Sequence, residues 1–268
     1  MALHSTPFWA FNLAYLVFLS PSIYCLVMAH SGADAHAWEA AVLPLASDPT
    51  WTLISSIWFL SWLGALYVCL RWTLARLGWK QGVKAPSQHK DDFLRATYIN
   101  MSVAILGRIQ GRNVLVFWLF VTLYTAFYSV LFEMVRHVDL NISGDVLRKP
   151  RGLWILALGG SVLAGVLHIH SRLAFAQGAD FGRAYAGWVL LAFLVHAGVY
   201  AWPLGDSAGH GVSRLHVHHW YWSFFAAHFT IFDSALSCHA QALFLGVYVH
   251  GAACFGLEPI FEAPKKEA

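Results

Sequence analysis

Residues 113–134 read NVLVFWLFVTLYTAFYSVLFEM, twenty-two positions in which the single charged residue, Glu133, comes next to last. A helix rises 1.5 Å per residue, so about 20 apolar residues cross the hydrocarbon core of a bilayer. Apolar residues here do not alternate with polar ones as they would on a half-buried strand. In hydrocarbon every backbone N–H and C=O must bond within its own segment, which leaves the α-helix as the form for such a run. The stretch predicts a transmembrane helix.

Working outward, six more apolar stretches follow the same logic: Phe8–Ala29, Trp51–Leu70, Gly152–Leu167, Tyr185–Pro203, His218–Phe232 and Leu236–Phe255. The fourth along the chain needs His168 and His170 to reach spanning length. The sixth is short and aromatic, and it suits the membrane interface as well as a crossing. The expected fold is therefore an all-α polytopic transmembrane helix bundle of about seven spans, with residues 1–268 forming one domain. Phe8–Ala29 has no Lys or Arg before it, unlike a cleaved signal peptide, and reads as a retained first span.

Composition agrees. Of 268 residues, 58% are hydrophobic and 12% charged, about half the charge of a soluble domain. So many apolar side chains exceed what a soluble fold of this length hides from water, so lipid is the expected partner. The 13 Trp, 10 Tyr and 19 Phe suit the headgroup region as well as the core. A net charge of +3 with no basic block excludes nucleic acid as a partner. Cys25, Cys69, Cys238 and Cys254 lie in or beside apolar stretches with no Cys-x-x-Cys pair, and read as packing residues.

The longest loop, about 71–112, carries eight of the 17 basic residues. Inside it, 91–110 suits an amphipathic helix on the membrane surface, with Asp91 and Asp92 at its positive N-terminal end. The positive-inside rule puts this loop on the cytoplasmic side, with the N-terminus inside and the C-terminus outside. The preceding loop, with Asp34, Glu39 and Asp48 but no Lys or Arg, supports that orientation. Arg136, Arg148, Lys149 and Arg151 in the following loop argue against it.

Histidine is over-represented, with 15 in all and ten between His168 and His250. Polar groups at membrane depth are costly and usually face inward, where they often serve function. The densest group is His216, His218 and His219, with His210 and Asp206 upstream. His216 and His219 would share a helix face, and the set suits zinc or iron; the competing role is an interfacial anchor. In the last span His239, Ala242, Gly246, His250 and Ala253 form one narrow stripe. His239 and His250 are eleven residues apart, roughly 16 Å, too far for one ion. They suit either two haems, with His168, His170, His196 or His228 as opposing ligands, or close contact with a neighbouring helix. Glu133 and Asp233 read as boundary residues.

Other chemistries are excluded. All six lysines (Lys80, Lys84, Lys90, Lys149, Lys265, Lys266) lie outside the stretches, so no retinal Schiff base is possible. There is no phosphate-binding Gly-rich loop. The several histidine boxes of membrane di-iron oxygenases reduce here to His-x-His-His at 216–219. The late His-x-x-x-His of seven-span ceramidase-type hydrolases is missing.

From Leu215 the chain reads Leu-His-Val-His-His-Trp-Tyr-Trp, then Ser237 and Gln241, then Leu-Gly-Val-Tyr-Val-His-Gly at 245–251, then Phe-Gly-Leu-Glu-Pro-Ile-Phe to Phe261. This fifth of the chain resembles the C-terminal signature of a loosely defined group of uncharacterised multi-span membrane proteins in eukaryotic microbes. It departs from that pattern at His250, where Asn is expected. The resemblance implies a membrane protein with a specialised C-terminal quarter, without a reaction; the expected location is a eukaryotic endomembrane or organelle membrane. Two functions remain: a transporter-like or scaffold subunit among other membrane subunits, or a metal or haem enzyme acting on a lipid-like substrate.

Overall fold

The computed structural model describes residues 49–135, 150–201, 204–205, 212–215, 219–257 and 261–262. They form seven α-helices: α1 (Pro49–Leu77), α2 (Pro86–Leu106), α3 (Val114–Met134), α4 (Pro150–Ala176), α5 (Ala179–Ala201), α6 (His219–Ala227) and α7 (Ala235–Phe255). A 3₁₀ turn at Ile109–Gly111 joins α2 to α3. Three very short strands, β1 (Leu204–Gly205), β2 (Val212–Leu215) and β3 (Phe261–Glu262), pair antiparallel in that order. They clip the segment after α5 to the tail after α7. The expected span Phe8–Ala29 lies outside the described residues.

The bundle is helical, as the apolar runs predict. Among the described residues, Leu53–Leu77, Val114–Met134 and Ala235–Phe255 are long and apolar enough to cross a bilayer, which makes this a membrane protein. α3 shows how the sequence does it. Asn113 caps its start, its side chain accepting from the Val116 N–H. Leu115, Leu119, Leu123 and Phe127 form an exposed stripe, while Phe117, Val121, Thr125 and Ser129 face inward. The hydroxyls of Thr122, Thr125 and Ser129 each donate to the carbonyl four residues back, so they need no outside partner. The outward face is thus wholly apolar, and the buried hydroxyls lie on the inward face among apolar side chains, the arrangement that lipid allows.

Order of contact fixes direction. Phe120 meets His239, Tyr128 meets His250 and Phe132 meets Phe255, so α3 runs parallel to α7. Phe59 and Trp62 of α1 pack on Trp118, while Arg71 reaches the Ala253 carbonyl, so α1 runs the same way. The chain between α1 and α3 must therefore travel back. α2 does this with one face buried and the other exposed, Asp92 lying against Tyr67 and Leu257 at one end and Gly107 against Gln241 at the other. Ile99, Asn100, Val103 and Ala104 are buried along the way.

This differs from the sequence expectation of a one-sided basic loop. Arg71 bonds Ala253 and Arg112 bonds Ser237, sixteen residues apart on α7, or roughly 24 Å along its axis. The two ends of 71–112 sit at opposite ends of the bundle. Charge density along the chain misleads here because Arg71, Lys84, Arg95 and Arg112 are drawn to backbone carbonyls inside the protein.

α6 has nine helical residues, and the chain from Trp220 to Phe232 is buried apart from the partly covered Trp222. It packs antiparallel to α5, with His196 on Tyr221 and Tyr185 on Phe229. On its other side Trp220 meets Tyr248 of α7. At about 13 Å it is too short to cross alone, and its side chains are buried within the protein.

Candidate functional site

The histidine stripe of α7 lies against α3. An added Cβ at Gly246 would sit 2.8 Å from the Thr125 nitrogen and 2.9 Å from the Tyr124 carbonyl carbon, so the two backbones nearly touch there. The Phe120 ring covers His239 at 4.2 Å, and the Tyr124 hydroxyl lies 3.1 Å from its Nδ1. His250 is buried between the Tyr128 and Phe132 rings at 5.0 and 4.9 Å, with its Nε2 3.3 Å from the Cys254 sulfur. Aromatic side chains of α3 thus fill the space a haem would need beside His250 and cover one face of His239.

His170, His196 and His228 share a different device. Each Nδ1 lies 2.6–3.0 Å from the carbonyl four residues back along the chain. A carbonyl only accepts, so Nδ1 carries the proton and Nε2 keeps its lone pair. For His196 that lone pair faces the Tyr221 hydroxyl at 2.9 Å, and for His228 the Ser102 hydroxyl at 3.4 Å. His196 and His228 thus join helices to one another, while the buried His170 Nε2 has no hydrogen-bond partner. His210, Asp206, His216 and His218 lie outside the described residues. His219 opens α6, and its side chain is not described. Among the described residues no three His, Cys, Asp or Glu side chains gather as a metal site would require.

A polar centre that the sequence does not advertise lies at the C-terminal end of α7. The last carbonyls of a helix lack intrahelical partners and carry its negative dipole end. Here Lys84 donates to Ala252, Arg71 to Ala253, the Gly82 N–H to Cys254 and Arg95 to Leu257. Lys84 also pairs with Asp92 at 2.7 Å, both side chains at most 10% exposed. The second Asp92 oxygen accepts from the Leu257 N–H at 2.9 Å. The Tyr67 hydroxyl bridges Lys84, Asp92 and His89 at 3.1, 3.3 and 3.0 Å. Burial pulls the Lys84 ammonium below its ordinary pKa, and Asp92 opposes that pull. A buried pair of this kind is held by its additional hydrogen bonds, not by Coulomb attraction alone. Tyr67→Phe removes the bridge while leaving the ion pair, and a loss of about 1–2 kcal/mol is expected in detergent unfolding.

A second centre lies at the other end, around Arg112. Its Nε donates to Gln241, one terminal nitrogen to the Phe232 carbonyl at 3.0 Å, and the other to the Thr230 carbonyl at 2.8 Å and the Ser237 hydroxyl at 3.3 Å. Gln241 in turn donates to the Gly107 and Ala227 carbonyls. These bonds help satisfy the buried turn between α6 and α7, in which the Phe232 and Ala227 carbonyls also accept from the Ser234 N–H and the Thr230 hydroxyl. Burial lowers the Arg112 pKa to about 10, so it stays charged at neutral pH.

Beside the Lys84–Asp92 pair, α1, α2 and α7 enclose a pocket of about 50 Å³. Tyr67, Asp92, Asn100 and Tyr248 give its polar wall; Leu60, Leu63, Phe93 and Val249 are among the apolar lining. Sequence reasoning missed Lys84, Asp92, Asn100, Arg112 and Tyr248. The available signal was the apolar spacing of Ile99, Val103 and Ala104, which marks a buried face on the helix carrying Asp92. No protein-family model, curated protein or solved structure matches this chain.

Proposed function

We propose that this chain crosses the bilayer several times and works as a transporter-like or scaffold subunit of a eukaryotic endomembrane or organelle membrane. In this reading α1, α3 and α7 cross in one direction and α2 returns between them. The observation that carries it is the use of the α7 histidine stripe. His239, Gly246 and His250 are spent on contact with α3. Gly159, Gly160 and Gly165 on α4 point the same way: a Cβ at any of them meets nothing within 4 Å, and Trp154 and Leu158 beside them are 76% and 69% exposed. These glycines face different sides of α4, so they mark a helix with open sides, which leaves room for a further membrane subunit.

Elemental analysis of detergent-purified protein tests the reading against a metal or haem enzyme. The expected content of zinc, iron and copper is far below one equivalent per chain, unchanged by His219→Ala. Near-integral metal that disappears in His219→Ala would overturn the proposal and assign the segment around His216, His218 and His219 to a metal centre.

A further inference from the structure

The helix directions gather one end of the bundle from distant parts of the chain. α1 ends and α2 begins beside the C-terminal end of α7, where Arg71 and Lys84 donate to the Ala253 and Ala252 carbonyls. α3 ends there too, since Phe132 meets Phe255. The β2–β3 pair holds the segment after α5 to the tail after α7, so α5 also ends there. α4 has His170 near Phe232 at the opposite end, and so begins at this one, about 30 Å away. The α1–α2 and α3–α4 links are thus separated by two crossings, α2 and α3, and face the same side.

Charge follows this division. At the end where α7 closes, Arg76, Lys80 and Lys90 are exposed, and none of them is in an ion pair among the described residues. In sequence the α3–α4 link adds Arg136, Arg148 and Lys149, with Arg151 opening α4. At the opposite end exposed Arg172 and Arg183 are balanced by exposed Asp180 and Asp233, and no Lys or Arg precedes α1. Tryptophan marks the level of the membrane surface. Trp72, near the end of α1, is 63% exposed, and Trp154, near the start of α4, is 76% exposed. The Arg76 guanidinium stands 5.4 Å from the centre of the Trp72 ring, a cation at that depth. We propose that this end of the bundle lies in the cytosolic leaflet and that Arg76, Lys80 and Lys90 bind the headgroups of its anionic phospholipids. Basic groups close to such a surface are drawn to it, and they set the side on which a link stays. The end of α7 then faces the cytosol, the reverse of the side expected from seven alternating stretches. The proposal rests on the membrane-embedded part of the function above, and not on the choice between transporter and scaffold.

The test uses the full chain. Carbonate extraction is scored first: a chain released from membranes defeats the embedded reading and this proposal together. For an embedded chain, Val83→Cys and Gln177→Cys, at exposed positions of opposite ends, meet a membrane-impermeant maleimide in sealed microsomes. Labelling is scored above that of the unaltered chain. Val83→Cys is expected to react at once, and Gln177→Cys only after the membrane is permeabilised. Any other pattern overturns the orientation and leaves the embedded reading intact. Headgroup binding is read by thermal unfolding of purified protein in neutral micelles titrated with phosphatidylserine or phosphatidylcholine. Phosphatidylserine is expected to stabilise the unaltered chain at the lower concentration. Arg76→Gln, Lys80→Gln and Lys90→Gln should each raise the concentration needed about fivefold. Equal stabilisation by the two lipids, or a phosphatidylserine preference that survives the triple variant, overturns the headgroup assignment.

Discussion

Gly246→Leu is expected to prevent stable assembly of the bundle, with a loss of about 3 kcal/mol or more. The atoms that a side chain would strike are the backbone of Tyr124 and Thr125, at 2.9 and 2.8 Å from the first added carbon. Backbone inside a helix cannot swing aside as a flexible side chain can. Relief requires separating α3 from α7, which would also open the contacts of His239 with Phe120 and of His250 with Tyr128 and Phe132. Gly246→Ala should show the same effect at about 1–3 kcal/mol. Thermal unfolding in micelles with size-exclusion profiles reads both. An equally stable, monodisperse Gly246→Leu protein would remove the α3–α7 contact from the account.

Arg112→Met is expected to cost about 3 kcal/mol or more, since hydrogen bonds to a buried charge contribute about 1.5–3 kcal/mol each. The variant removes one donor each from Gln241, Thr230, Phe232 and Ser237, all of them buried, though Phe232 keeps the Ser234 N–H and Ser237 keeps the Phe232 N–H. Arg112→Lys should recover only a minor part, because an ammonium on a flexible stem cannot reproduce a planar fork reaching four acceptors. Limited proteolysis then has a specific expected outcome, with new cleavage between His228 and Ser234. A stable Arg112→Met protein that still protects this turn would show that other groups satisfy its carbonyls.

Both centres involve residues that look ordinary in the sequence. Arg112 is the last of eight basic residues in a loop-like stretch, and Asp92 follows Asp91 as the acidic start of a surface helix would. The small-residue and histidine stripe of α7, by contrast, is legible from its steps of three and four. Its choice of partner is not, since haem, lipid or another helix all accept such a face. The sixth apolar stretch shows the same limit. Its aromatic composition suits interface and interior alike, and it stops inside the protein because Arg112, Gln241 and Tyr185 satisfy carbonyls at its C-terminal end.

Composition and apolar length alone determined that this is a helical membrane protein, because the cost of bare backbone in hydrocarbon leaves few other forms for runs such as 113–134. Local pattern also placed the close-contact face of α7. Tertiary structure decided the direction of the helices, and with it the fate of the basic stretch. Once α1, α3 and α7 lie parallel, α2 must return between them, carrying Asp92 into the interior. Its charge is tolerable there only because Lys84, Tyr67 and the Leu257 N–H converge on it from 8, 25 and 165 residues away. No window of neighbouring residues contains that set of partners, so no local pattern could announce it.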